Sequence, residues 1–191
     1  MKEINNWSEV KAASDGFETV PVGGYVCTIM KCDEKPNKNS GGTHLEIWFD
    51  ILLGDYKGFF TNDYANQTGE NKYWHGIIYQ NIPDENSAKY STQCGFFKRF
   101  INAIEASNEG YHWDWNEQLL KGKRIGVVFG EVERESRGGT RYMTTRPDSV
   151  VDVKAVEEKK YRLPKVKYLP AKPEAAETAK YEDVDDGDLP F

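Results

Sequence analysis

The chain has 191 residues, 25 Lys and Arg against 31 Asp and Glu, and a formal net charge of −6. An apolar content of 38%, with 13% aromatics, supports one modest core and excludes a wholly disordered chain. No apolar run approaches membrane-spanning length, residues 1–7 carry no apolar leader stretch, and three cysteines (Cys27, Cys32, Cys94) favour reduced thiols in a cytoplasm over a disulfide framework.

The charge is segregated. Residues 174–191 hold seven acids and one base, which is the whole net charge, while residues 1–173 hold 24 of each sign. Within that neutral body, residues 1–120 carry −7 and residues 121–173 carry +7. A neutral body with an acidic appendage suggests an interaction tail.

Residues 1–23 form a polar lead-in. Residues 25–32 (YVCTIMKC) are rich in β-branched and aromatic side chains and predict a strand. A run of turn formers follows at 33–42. Residues 43–53 alternate cleanly, with Leu45, Ile47, Phe49 and Ile51 on one face and His44, Glu46, Trp48 and Asp50 on the other, so they predict a half-buried strand paired with the first. Residues 56–61 read as a third strand and 74–82 as a further short one.

From Gln93 the period changes to that of a helix, with Phe96, Phe97, Phe100, Ile101 and Ile104 in one stripe. Residues 123–134 predict another strand, Gly138-Gly139 a hairpin turn, and 141–146 its return strand, extended by 150–156. The expected fold is mainly β: a five-stranded OB-fold-like Greek-key barrel with one helix between strands 3 and 4. Another small barrel or sandwich with one helix is the alternative. Residues 1–160 form the body on this reading. Residues 161–191 form a basic, proline-punctuated linker and a disordered acidic tail.

The chain ends Asp185-Asp186-Gly187-Asp188-Leu189-Pro190-Phe191. This tip resembles that of bacterial single-stranded-DNA-binding proteins, which end in aspartates, an aliphatic residue, Pro and a terminal Phe. The chain as a whole looks most like a phage-encoded member of that group, working in a bacterial cytoplasm. The resemblance covers the last seven to nine residues, and Gly187 interrupts the aspartates. It implies that Asp185, Asp186, Asp188, Leu189, Pro190 and Phe191 dock replication, recombination and repair proteins. Chemically, Phe191 offers a ring and Pro190 limits the freedom lost on docking, while the aspartates steer the tail to basic surfaces.

A single-strand binder needs aromatic platforms and cations along a groove. The stacking candidates are Trp48, on the polar face of its strand, Tyr73 and Trp74 in the aromatic segment before the helix, and Tyr142. Trp48 has packing under a loop as its alternative, and the Tyr73-Trp74-His75 segment has a satellite core. Tyr111, Trp113 and Trp115 suit a core or lid role better. The phosphate candidates are Lys35 and Lys38 at the first hairpin, Lys57 on the third strand, and Arg134, Arg137, Arg141 and Arg146 around the second hairpin. The OB-fold binds its ligands between such loops.

No metal-ligand spacing, phosphate loop or nucleophile elbow is present, so no cofactor and no catalysed reaction are expected. The expected partners are single-stranded DNA and, through the tail, proteins. The reading leaves room for a homo-oligomer. A strand-annealing protein is the nearest alternative in function, and a protein-binding adaptor or DNA mimic is the alternative of a different class.

Overall fold

The computed structural model describes residues 19–37 and 41–170. Lys38 and the tail candidates Asp185, Asp186, Asp188, Leu189, Pro190 and Phe191 lie outside the described residues.

Five strands, β1 (Gly23–Pro36), β2 (Thr43–Ile51), β3 (Ile77–Asn81), β4 (Arg124–Glu135) and β5 (Arg141–Val151), build one antiparallel sheet in the order β3-β2-β1-β4-β5. The helices are α1 (Phe59–Asn66), α2 (Tyr90–Ser107) and the short α3 (Val153–Glu157). Among the described residues no helix is long and apolar enough to cross a membrane.

The mainly-β class, the strand count and the helix between the third and fourth strands agree with expectation. Three details are corrected. First, the sheet is open: β3 and β5 are its two edges, with no ladder between them to close a barrel.

Second, residues 56–61 form no strand. Gly54 and Gly58 turn the chain at positive φ (86° and 71°), and the following residues start α1. The cap comes from β2. The carboxylate of Asp50, buried in the core, accepts the amides of Phe60 and Thr61 at 3.0 and 3.1 Å, together with the Thr61 hydroxyl at 2.5 Å. A tertiary cap at the positive end of a helix thus overrides the local β preference of the aromatic run. The third strand is instead 77–81, inside the segment read as a further short strand.

Third, β5 does not continue to 156. It stops at Val151, and the Asp152 side chain caps α3 by accepting the Ala155 amide at 2.8 Å.

β1 contains a bulge. Ile29 faces Phe49 but Lys31 faces Trp48, so Met30 is the extra residue. The parity shift buries both Ile29 and Cys32 and turns Lys31 to the opposite face beside Trp48.

The core packs Phe49, Phe60 and Phe129 against one another, with ring centroids 5.4–6.3 Å apart. From α2, Phe97, Phe100, Ile101 and Ile104 join it, while Phe96 stays exposed. Cys27 and Cys32 are buried free thiols; burial, then Glu117 and Asp33, pushes Cys32 up to about 12.

The segment after α3 packs along β4 as a strap. β1 pairs with β4 only as far as Phe129, which leaves the next β4 groups open on that side. Lys167 fills them: its amide donates to the Glu131 carbonyl, and its carbonyl accepts the Glu133 amide. Two glycines make room for the strap. A Cβ on Gly24 would lie 2.7 Å from the Tyr161 ring, and one on Gly130 would lie 2.3 Å from Pro164. Gly130→Ala is therefore expected to lift the strap, cost about 1–3 kcal/mol as overpacking does, and speed tryptic cleavage after Lys165 and Lys167. Cleavage rates equal to those of the parent chain would refute this.

Candidate nucleic-acid interface

β2 positions the site. Side chains alternate along a strand, so the register places rows of residues on the face opposite the core. One row is Lys31, Trp48, Ile77; the next is Asp33, Glu46, Tyr79; the third is Lys35, His44, Asn81.

Trp48 is half-buried and lies parallel to Trp74, with centroids 6.1 Å apart and planes at 2°. The Lys31 ammonium sits 5.3 Å from the Trp48 ring centre. Trp74 is held by its indole N–H, which donates to the carbonyls of Phe49 at 3.3 Å and Gly76 at 3.1 Å. Gly76 lets the chain press this close to β2: a Cβ there would stand 2.4 Å from the Phe49 carbonyl oxygen.

Tyr64 of α1 tilts against Trp74 at 5.8 Å, and the Lys72 ammonium lies 5.6 Å from the Tyr64 ring centre. Tyr73, exposed, meets His75 edge-on at 5.4 Å. Gln67 clamps its backbone by bonding both the amide and the carbonyl of Tyr73. Tyr79 packs edge-on to His44, and burial together with a hydrogen bond to Tyr73 pushes its phenol up to about 12.

The acids near this face are already answered, and Asp33 takes the Lys31 ammonium at 2.5 Å. Glu46 accepts the Lys35 ammonium at 2.6 Å and the Trp48 indole at 2.9 Å. Burial alone pushes its carboxyl up, but these two hydrogen bonds outweigh it and hold the group below the usual carboxylate range. Alternation puts Asp50 on this face, but its side chain is instead buried and spent on α1.

Of the predicted stacking residues, Trp48, Tyr73 and Trp74 come together here. Tyr142 does not; it stands exposed on β5, beside a separate cleft shared with Arg146. The predicted phosphate contacts divide by what already holds them. Lys35 is paired with Glu46. Arg141 contacts Glu133 and Glu135 and donates to the Pro170 carbonyl at 2.6 Å, so it anchors the strap. Lys57 is exposed in the turn before α1, not on a strand. Arg134 and Arg137 are exposed at the β4–β5 hairpin. That hairpin lies beyond the Gly23 end of β1, whereas the β1–β2 turn lies beyond its Pro36 end, so the tips flank the sheet from opposite ends.

Lys31 and Lys72, not among the contacts expected from the sequence, also edge this face. The bulge hides Lys31, because strict alternation from Cys27 and Ile29 turns it inward. Lys72 carried a usable signal, a base directly before a Tyr-Trp pair. Tyr111 and Trp113 pack against the core as expected, while Trp115 is 80% exposed and stacked on Phe97.

Among the described residues no group of three or more His, Cys, Asp or Glu could hold a metal ion. Comparison with models of known protein families and with curated proteins finds no match.

Proposed function

We propose that this chain binds single-stranded DNA on the outer face of β2 and β3, with little base preference, and that its acidic tail recruits replication, recombination or repair proteins. The carrying observation is the parallel Trp48–Trp74 pair, flanked by Tyr64 and Tyr79 and edged by Lys72 and by Lys31, whose ammonium is shared with Asp33. Indole faces accept any base, and cations beside them meet the backbone, which is the chemistry of sequence-tolerant strand binding.

The strand order supports the same reading. Running β4-β1-β2-β3, it follows the Greek-key order. With β5 added it fits an OB-like barrel left open between its third and fifth strands, a fold whose strand 2–3 face takes oligonucleotides. The tail role rests on the resemblance of residues 185–191 to the single-strand-binding-protein tip. The reading assigns the chain no catalysed reaction.

The test is quenching of tryptophan emission on titration with oligo(dT) at graded salt. Quenching is expected, and log affinity is expected to fall against log salt with a slope of about −2 to −3, corresponding to roughly three or four phosphates at about −0.7 each. Absence of any quenching at low salt overturns the proposal and favours a protein-binding adaptor.

A further inference from the structure

A second cleft, of about 250 Å³, opens between α1 and β5. Its floor is aromatic, from Phe59, Phe60 and Phe129, and its rim carries Tyr142, His75 and Arg146. That volume is below the roughly 300–1,000 Å³ of pockets for drug-sized ligands and suits a single planar ring.

Arg146 is the unusual group. Among the described residues its Nε is buried without a hydrogen-bond partner, as is that of Arg141, but unlike Arg141 its guanidinium forms no ion pair there. Native structures rarely keep such a donor unmet. The other arginine of β5, Arg141, is engaged by Glu133, Glu135 and the Pro170 carbonyl. The acid nearest to hand in the cleft, Asp63, is taken by His75 at 2.6 Å and Gln67 at 3.1 Å rather than by Arg146. Among the described residues, this cation therefore lines an aromatic cleft without an ion pair of its own. The cleft also adjoins the aromatic face, since His75 follows Trp74 in the chain and touches Tyr73.

We infer that this cleft takes one unstacked nucleobase of a bound single strand, with the neighbouring phosphate on Arg146. The inference rests on the reading of the chain as a single-strand binder. The strand then runs from the Trp48–Trp74 pair past His75 to β5, and the Arg146 fork meets phosphate oxygens as guanidinium does elsewhere.

The experiment uses the full chain and a labelled oligo(dT) followed by fluorescence anisotropy at several salt concentrations. Arg146→Ala is expected to weaken binding about 10-fold and to make the log–log salt slope less negative by about 0.7, one phosphate contact. Arg146→Lys, which retains the charge, is expected to restore the slope. An oligonucleotide with one 2-aminopurine is expected to brighten on binding the parent chain and to brighten less with Arg146→Ala, as the base leaves the cleft. Melting curves establish that each variant is folded, and should Arg146→Ala fail to fold, the slope of Arg146→Gln takes its place. Unchanged affinity and slope in the neutral variant, while Trp48→Ala loses binding, overturns the cleft and leaves the function standing. Absence of oligo(dT) binding by the parent chain removes both.

Discussion

Trp48→Ala is expected to weaken oligo(dT) binding by roughly 5- to 150-fold, since one base–aromatic stack is worth about 1–3 kcal/mol. The effect should fall on affinity and leave the salt slope unchanged, because no phosphate contact is removed. Trp48 suits this test because it lies on the face away from the core, with its indole N–H on Glu46 and its ring under Lys31. Trp74 needs a milder change, since its indole is tied to the backbone of Phe49 and Gly76. Trp74→Phe keeps a ring and loses those two bonds, so a smaller loss of affinity is expected.

The control is Trp115→Ala. Trp115 is more exposed than Trp48, yet its aromatic neighbours are Phe97 and Trp113, away from the proposed face. If exposure alone governed stacking, Trp115→Ala would weaken binding most. On the present reading it leaves anisotropy titrations unchanged while Trp48→Ala shifts them. The reverse order would refute the assignment of the face.

Asp50→Ala is expected to produce the largest loss of stability of any single substitution proposed, about 3–5 kcal/mol. One buried carboxylate accepts the amides of Ile51, Phe60 and Thr61 and the Thr61 hydroxyl. Removing it leaves buried donors unmet, each costing about 1–3 kcal/mol, and deprives α1 of its charged cap. In a chain of this size about 2–4 °C of Tm follows each kcal/mol, so a fall on the order of 10 °C is expected in a thermal melt. Asp50→Asn keeps one acceptor oxygen but turns a donor toward donors, so it should fall between the two. Because α1 carries Tyr64 and, through Asp63, orients His75 at 2.6 Å, Asp50→Ala should also weaken DNA binding, although Asp50 touches no ligand. A melt within 2 °C of the parent chain would show that the cap is dispensable.

Particular elements show what was legible in advance. β2 is legible because its alternation is unbroken from Leu45 to Phe49 and one face is buried, with Asp50 the buried exception. The α2 stripe was legible for the same reason, at period 3.6 instead of 2, with Phe96 as its exposed exception. The 56–61 segment misled because YKGFFT has strand composition, while the group that makes it turn and then coil into a helix, Asp50, comes from a neighbouring strand. Lys31 was lost to a one-residue bulge, which reverses every later assignment of face along β1. Strand composition likewise ran past Val151, where a single side-chain cap from Asp152 begins a helix.

The segregation of charge, the mainly-β class, the helix between the third and fourth strands and the aromatic segments were determined by the sequence alone, because each depends on local composition or on a short period. Only the tertiary structure decided that the sheet stays open, that Trp48 meets Trp74 from the segment before β3, that Glu46 is neutralised by Lys35, and that Arg141 is spent on the strap while Arg146 forms no ion pair among the described residues. The physical reason is range. Propensity and alternation act over a few residues, whereas the partner of a charge or a ring is whichever group the sheet register and the glycine-lined crossings bring within a few ångströms, and it is often tens of residues away in the chain.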